Sequence, residues 1–254
     1  ADGINSIVRD FVTSEKTEPT YSKQIYVGGF ITDRKKVDNY KLDINTQYIS
    51  VGPGSFFAYI IVDNIKQKNY SLLWYCYLYE KNRISKKKLS EYPDKNIIKR
   101  VSHLHKNWYH PIPKLINDSQ KIIKTNIYDI IGIEKWSKDR VLLIGDSSHA
   151  MNPISGQGAS FAMEDAQLLA VLIKKDNQNM IGNFQTLEKI RSKRITPIAK
   201  KARRSTRLST MKVNPMLQCI RNKLFALKLR IVPEKIYNRA FTYDVNNVII
   251  CLLY

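Results

Sequence analysis

Cysteines, long apolar runs and acidic residues are all scarce in this sequence. The three cysteines among its 254 residues, Cys76, Cys219 and Cys251, lie far apart and form no C-x-x-C pair. A disulfide scaffold and a cysteine zinc site are therefore not expected, and a reducing compartment is the default. No apolar run approaches the roughly 20 residues that a membrane-spanning helix needs. The first residues also lack the basic and apolar regions of a signal peptide, so we expect a cytoplasmic location.

The scarcity of acids leaves a formal net charge of +20, from 42 Lys and Arg against 22 Asp and Glu. Most of the excess lies in Lys189–Arg239, where sixteen basic residues accompany one acid, Glu234. Helical spacing of the apolar residues there predicts amphipathic helices, punctuated by Pro197, Pro215 and Pro233. Such helices can be solvated or paired within the protein, or they can lie on a membrane surface or on nucleic acid. We expect no specific nucleic acid and leave peripheral membrane contact open.

Three segments of the first half are typical of β-strands. They are rich in β-branched and aromatic residues, are separated by turn residues rather than by helices, and comprise Tyr21–Ile31, Phe56–Val62 and Tyr70–Tyr79. Because short successive strands pair most simply as neighbours, we expect an antiparallel sheet. A charged helical segment interrupted near Pro93 follows, and then a turn with two prolines over residues 108–116.

A different pattern begins at Arg140–Ile144, a short apolar run that predicts a strand buried on both faces. The run ends at Gly145 and Asp146, and a loop containing Pro153 leads into an expected buried helix from Gly156. The segment is therefore a strand, a polar loop, a glycine-bracketed turn and a helix.

The chemistry of this segment suits a flat ligand with hydroxyl groups. A carboxylate at the carboxyl end of a strand, such as Asp146, can accept hydrogen bonds from sugar or ribityl hydroxyls. Gly156 and Gly158 have no Cβ, so the backbone can approach a flat ring closely. A helix that starts there directs unpaired N–H groups at the ligand and favours delocalised negative charge, such as that of a reduced flavin. The alternative is a strand–turn–helix that only packs.

Two further interpretations concern the histidines. In Ser147–His149 the serines and the histidine are adjacent, an arrangement that rarely places a nucleophile against its base, so a hydrolase is not expected. His103, His105 and His110 have no carboxylate or cysteine at a spacing that would complete a metal site. We therefore predict no metal and a surface role for these three histidines.

Residues 140–166, RVLLIGDSSHAMNPISGQGASFAMEDA, resemble the second FAD-binding motif of the single-component flavoprotein monooxygenases that act on aromatic rings. That family includes para-hydroxybenzoate hydroxylase, urate hydroxylase, zeaxanthin epoxidase and the tetracycline-inactivating monooxygenases. The residues that match the family's pattern are Gly145, Asp146, His149, Pro153, Gly156, Gly158, Glu164, Asp165 and Ala166. The sequence departs from the pattern at Ser147, Ser148 and Ser160, where alanine, alanine and asparagine are usual.

The opening residues, ADGINSIVR, resemble the Asp-Gly motif of the same family, which lies near both flavin and NAD(P)H. The resemblance extends to about residue 210. It implies an α/β (α+β) fold, namely a partial FAD-binding Rossmann-like domain with an inserted antiparallel substrate-binding sheet and a helical C-terminal region. The implied domains are 1–16 with 120–175 for FAD, 17–119 for the substrate, and 176–254 for the basic helical region.

The resemblance also implies a flavin site. Its cofactor-binding residues would be Asp2, Gly3, Arg9, Gly145, Asp146, Pro153, Gly156, Gln157, Gly158 and Ala159. Asp146 would hold the ribityl chain, and the backbone around Gly156 would face the isoalloxazine ring. No catalytic residue is assigned.

By the same resemblance the protein is an FAD-dependent monooxygenase. NAD(P)H would reduce the flavin, O2 would form a C4a-hydroperoxide, and one oxygen atom would pass to a small organic substrate by hydroxylation or epoxidation. Neither the substrate nor the choice between NADH and NADPH follows from the sequence.

One part of the family's pattern has no counterpart in these residues. The family begins with a strand, a G-x-G-x-x-G turn and an acidic residue that hold the pyrophosphate and the adenosine ribose. Neither Gly28-Gly29 nor Gly52-Pro53-Gly54 supplies this turn. We therefore expect a fragment that holds the isoalloxazine and ribityl end of FAD. The alternative is a truncated, non-catalytic relic that acts as a basic module on membrane or nucleic-acid surfaces.

Overall fold

The computed structural model describes residues 2–52, 54–64, 69–210 and 215–231. Within them the strands are β1 (Thr20–Ile31), β2 (Gln47–Gly52), β3 (Ser55–Asn64), β4 (Asn69–Tyr79), β5 (Lys121–Asp129), β6 (Ser137–Lys138) and β7 (Val141–Leu142). The helices are α1 (Ile7–Thr13), α2 (Arg34–Asp38), α3 (Lys86–Glu91), α4 (Asp94–His105), α5 (Ile112–Asn117), α6 (Asp146–His149), α7 (Gly158–Lys175), α8 (Met180–Thr210) and α9 (Pro215–Ile231). Short 3₁₀ turns cover Gly3–Asn5 and Pro153–Ser155.

The chain divides into two compact units. The first contains the residues up to Thr20, Tyr128–Thr206 and α9, and the second contains Tyr21–Ile127 and the end of α8 from Arg207. The three-domain division expected from the family resemblance remains a prediction.

A five-stranded sheet of order β2-β3-β4-β1-β5 forms the second unit. The β2–β3, β3–β4 and β4–β1 pairs are antiparallel, which confirms the pairing predicted for the three aromatic-rich segments. Alternate residues of these strands point to opposite faces. On one face they form the core with α2, α3, α4 and α5, a cluster that includes Ile25, Val27, Phe57, Leu72, Trp74 and Cys76. Each fully buried side chain of this size contributes about 2 kcal/mol of transfer free energy.

The opposite face of the same sheet carries a cluster of aromatic rings. Tyr26, Phe56, Tyr75 and Tyr77 lie on the neighbouring strands β1, β3 and β4, and their ring centroids are 5.5 to 6.2 Å apart. Gln47 of β2 donates a hydrogen bond to the Tyr75 hydroxyl at 2.9 Å. Burial raises the pKa of Tyr26 to about 12, so its hydroxyl is neutral at physiological pH.

The strand expected at Arg140–Ile144 is much shorter than predicted. β7 covers two residues, is half-buried, and pairs antiparallel with β6 in a hairpin, so the expectation of a strand buried on both faces was wrong. The apolar run turns out of the strand at Leu143, whose side chain is buried. Glu188 of α8 supports the hairpin, because its carboxylate accepts hydrogen bonds from the N–H groups of Trp136 and Ser137 at 3.0 and 3.2 Å.

Three helices follow in the first unit. α7 confirms the predicted helix, but it is buried on one face only: it packs through Phe161, Leu168 and Leu172, whereas Met163 is exposed, so the expected burial around most of the helix was wrong. Pro197 lies inside α8 rather than at a helix end, contrary to the expected punctuation, because buried residues on both sides hold the helix in place despite the lost hydrogen bond. Pro215 is the first residue of α9, and Pro233 and Cys251 lie outside the described residues. No described helix is long and apolar enough to cross a membrane.

His105 is buried, which corrects the predicted surface role; His103 and His110 are exposed. The Nδ1 of His105 lies 2.8 Å from the Val101 carbonyl oxygen, and its Nε2 lies 3.0 Å from the Ser55 hydroxyl. Because a carbonyl only accepts, Nδ1 carries the proton and Ser55 donates to Nε2. Burial lowers the pKa of His105 to about 4. The imidazole is therefore a neutral core residue that packs against Phe57 and Trp108.

We predict that the stability of the protein falls as the pH drops from about 6.5 to about 4. In this range the unfolded chain protonates His105 and the folded chain does not, and the cost reaches about 3 kcal/mol. Urea unfolding at several pH values measures this slope. It should flatten in His105→Gln and persist in the exposed control His103→Gln; equal slopes in both variants would contradict the assignment.

Candidate functional site

The turn after β7 places one carboxylate at the surface of the first unit. Gly145 has φ 60° and ψ −140°, a conformation that residues with a side chain rarely adopt, and a Cβ there would lie 3.2 Å from the Cβ of Ala162. Asp146 follows as the first residue of α6, and its side chain is exposed. Among the described residues, the Asp146 carboxylate makes no hydrogen bond or ion pair.

Two glycines, Gly3 and Gly158, lie beside Asp146, and a third, Gly156, borders open space. A Cβ at Gly3 or Gly158 would first meet Asp146 itself, at 3.9 and 4.0 Å, and a Cβ at Gly156 would meet nothing within 4 Å. Gly3 and Gly156 have φ values of 56° and 64°, so both also need the freedom of glycine. The structure therefore brings Gly3 of the first motif beside Gly145, Asp146 and Gly158 of the second.

The amino end of α7 lies beside this space. The 3₁₀ turn at Pro153–Ser155 leads through Gly156 to Gln157, and Gln157 caps α7 without a side-chain hydrogen bond to the helix. Gln157 is 4% exposed, and its Oε1 has no hydrogen-bond partner in the part of the chain that the structure describes. Pro153 and Ala159 are exposed. The first N–H groups of an 18-residue helix are thus available to an anionic or electron-rich ligand.

The Asp-Gly motif of the first residues contains a hydrogen bond from the backbone to Asp2 and a buried cation, Arg9. Asp2 accepts a hydrogen bond from the Ile7 N–H at 3.2 Å. Arg9 is 2% exposed and donates to the carbonyl oxygens of Ile4, Thr17 and Ser147 at 2.9, 3.3 and 3.2 Å. Burial lowers the pKa of its guanidinium. Arg9 thereby ties the first motif to the residue after Asp146, and its contact with a cofactor stays a prediction.

A network of buried charged side chains holds the turn at Gly145 and Asp146 in place. Asp165 of α7 accepts from the Gly145 N–H at 3.0 Å, from His149 Nε2 at 2.7 Å and from Arg191 Nε at 2.7 Å. Asp165 and Arg191 are fully buried. Burial alone would raise the pKa of the Asp165 carboxyl, but the hydrogen bonds from His149, Gly145 and Arg191 lower it below its usual value.

A second acid extends the network. Glu164 lies 2.6 Å from Arg191 Nη1 and accepts two hydrogen bonds from Arg194, each at 3.1 Å. Both guanidinium groups lie over the Phe161 ring, at 5.7 and 5.2 Å from its centroid. In the sequence, Glu164, Asp165 and His149 are recognisable only as matches to the motif, and nothing assigns the two arginines to a site. The sequence signal for this network is the pair of adjacent acids, Glu164 and Asp165, together with two arginines three residues apart, Arg191 and Arg194.

The residues around Asp146 fit the ribityl and isoalloxazine part of a flavin. An exposed, unpaired carboxylate can accept hydrogen bonds from hydroxyl groups, and the glycines admit a flat ring close to the backbone. The uncapped end of α7 can stabilise negative charge, and Gln157 retains an unused acceptor.

Comparison with known proteins decides the family. Residues 1–179 match the model of the FAD binding domain family. The chain belongs to this family. The resemblance predicted from the two motifs is confirmed, and so is the predicted fold class.

Two curated relatives align over parts of the chain. The chloroplastic zeaxanthin epoxidase of Oryza sativa subsp. japonica is 33% identical over 129 residues, which cover 46% of this chain and 20% of that protein. Aurachin C monooxygenase/isomerase of Stigmatella aurantiaca is 45% identical over 65 residues, which cover 25% of this chain and 17% of that protein.

Solved structures match over nearly the whole chain. Klebsiella pneumoniae HpxO complexed with FAD and uric acid has a TM-score of 0.69 at 19% identity, covering 98% of this chain and 56% of its own. A salicylate hydroxylase substrate complex has a TM-score of 0.75 at 18% identity, covering 98% and 62%. At these identities the similarity establishes the fold. The chain spans about three fifths of these structures and a fifth or less of the two curated relatives.

We predict that Asp165→Asn destabilises the protein by about 3 kcal/mol, because it leaves the buried cation of Arg191 undercompensated and weakens the bond to Gly145. Urea unfolding followed by circular dichroism measures this loss. Asp139→Asn, a matched change at an exposed position in the β6–β7 turn, should alter the free energy of unfolding by less than about 0.5 kcal/mol. Equal effects of the two substitutions would mean that the buried network does not stabilise the fold.

Proposed function

We propose that this chain is the flavin-ring-binding and substrate-binding part of an FAD-dependent monooxygenase. The observation that carries the proposal is the glycine-lined space around the exposed Asp146 carboxylate, beside the uncapped end of α7. Membership of the FAD binding domain family supports it, as do the monooxygenase and epoxidase names of the curated relatives.

Each element of the site has a role in this proposal. Asp146 accepts hydrogen bonds from the ribityl hydroxyls, and the backbone from Gly156 to Ala159 lies against the isoalloxazine ring. The N–H groups at the start of α7 stabilise negative charge on the pyrimidine side of the ring. When bound, FAD would accept hydride from NAD(P)H and activate O2 for transfer of one oxygen atom to a small organic substrate. Substrate binding is assigned to the antiparallel sheet of the second unit by the family resemblance.

The ADP half of FAD is usually held by a G-x-G-x-x-G turn, and this sequence contains no such motif. Gly29 and Gly52 of the second unit serve packing, because a Cβ at Gly29 would overlap the Trp74 ring and one at Gly52 would lie 2.5 Å from the Trp108 ring. They are therefore unsuited to a phosphate-binding turn. We propose that polypeptide outside these 254 residues holds the pyrophosphate and adenosine.

We predict that Asp146→Ala weakens flavin binding at least about tenfold, because charge-assisted hydrogen bonds to hydroxyls are lost. Titration of the full chain with riboflavin and with FAD, followed by quenching of flavin fluorescence, measures the dissociation constants. Glu134→Ala, which removes an exposed carboxylate from the same unit, should leave both unchanged. Equal affinity of Asp146→Ala and Glu134→Ala would refute the role of Asp146. FAD binding much tighter than riboflavin would contradict the proposal that the ADP contacts lie elsewhere.

We predict that Gly158→Leu blocks flavin binding without unfolding the protein. The Cβ has room, and leucine is a better helix former than glycine by about 1 kcal/mol, but the longer side chain occupies the space beside Asp146. Flavin affinity should fall more than about tenfold, with an unchanged or raised melting temperature. Lys174→Leu, at the exposed far end of the same helix, serves as the control. Retention of flavin by Gly158→Leu would show that the space is not the ring site.

A further inference from the structure

One face of α9 exposes a continuous row of large apolar side chains. The row comprises Leu217, Ile220, Leu224, Leu227 and Ile231, which are between 45% and 68% exposed. At about 100° per residue these positions fall within an arc of roughly 80° along the helix. A soluble surface rarely carries so many large apolar side chains in one line unless they bind something.

Positive charge accompanies this apolar row. Lys223 and Arg230 are exposed on α9, and the helix contains no acidic residue. Elsewhere in the basic segment the charge is partly compensated, since Arg191, Arg194 and Arg203 pair with Asp or Glu. Lys223 and Arg230 are therefore complementary to an anionic partner rather than to acids of their own helix.

The combination favours a lipid surface over nucleic acid. Phosphate groups of RNA or DNA would satisfy Lys223 and Arg230 but would leave the apolar row in water. An anionic bilayer satisfies both, because apolar side chains enter the boundary of the acyl chains while lysine and arginine remain at the phosphate level. α9 has 17 residues and is not long and apolar enough to cross a membrane, so it would lie in the plane of the surface.

We propose that α9 docks on the surface of an anionic lipid bilayer, with the apolar row inserted and with Lys223 and Arg230 at the headgroups. This inference is independent of flavin binding. It gives the exposed apolar row and the basic groups of α9 one common role.

Co-sedimentation of the full chain with vesicles tests the proposal. The chain should bind vesicles of mixed phosphatidylcholine and phosphatidylglycerol, bind pure phosphatidylcholine much less, and bind more weakly at high salt. Leu224→Gln with Leu227→Gln keeps the charge and the helix propensity but removes two apolar anchors, so it should reduce binding at least about tenfold. Unchanged binding by this variant would overturn the insertion of the apolar row.

Charge-matched variants test the electrostatic part. Lys223→Glu with Arg230→Glu should abolish binding to anionic vesicles, whereas Lys95→Glu with Lys99→Glu, an equal charge change on exposed positions of α4, should retain most of it. Circular dichroism and elution volume confirm that each variant remains folded. The proposal is overturned if the two charge variants lose binding equally, or if the chain binds RNA in preference to vesicles. It is also overturned if the wild type elutes at a smaller volume than the leucine variant, a result that would identify a second copy of the chain as the partner.

Discussion

The Asp165 carboxylate joins three parts of the first unit at one point: the Gly145 N–H at the end of the β6–β7 hairpin, His149 of α6, and Arg191 of α8. A buried carboxylate is tolerated only when its charge is compensated and its oxygens are hydrogen-bonded. Because Gly145 immediately precedes Asp146, the contacts that compensate this charge also set the direction in which the exposed carboxylate leaves the turn. The proposed flavin contacts thus depend on a residue that is not among them.

The excess of positive charge serves different purposes along one segment. In the first part of α8, Arg191 and Arg194 neutralise Asp165 and Glu164, and Arg203 pairs with the buried carboxylate of Asp129. These arginines stabilise the fold and are not available to a partner. On α9, Lys223 and Arg230 are exposed beside apolar side chains. The net charge therefore includes both arginines that are paired within the fold and basic residues that are exposed. Burial and ion pairing distinguish the two groups.

Composition predicted the strands β1, β3 and β4, because runs of β-branched and aromatic residues between turn residues are typical of strands, and helix-forming residue types predicted α7. The motif residues predicted the place of the candidate site around Asp146. Three features could not be predicted in this way. An apolar run such as Arg140–Ile144 indicates burial but does not reveal which strand pairs with it. The neutral state of His105 and the pairing of Arg191 depend on contacts with residues distant in the sequence.

Glycine has different roles in the two units, at the candidate site of the first and in the packing of the second. Gly29 and Gly52 are required by the Trp74 and Trp108 rings, which fill the space that a Cβ would occupy. Gly156 requires glycine for its positive φ and has nothing within 4 Å of a Cβ. A glycine pressed against a neighbouring side chain is explained by packing, whereas one that lies beside an unpaired carboxylate, as Gly158 lies beside Asp146, is not. The second kind occurs in this chain at the start of α7, and it is there that a flat ligand can meet the backbone.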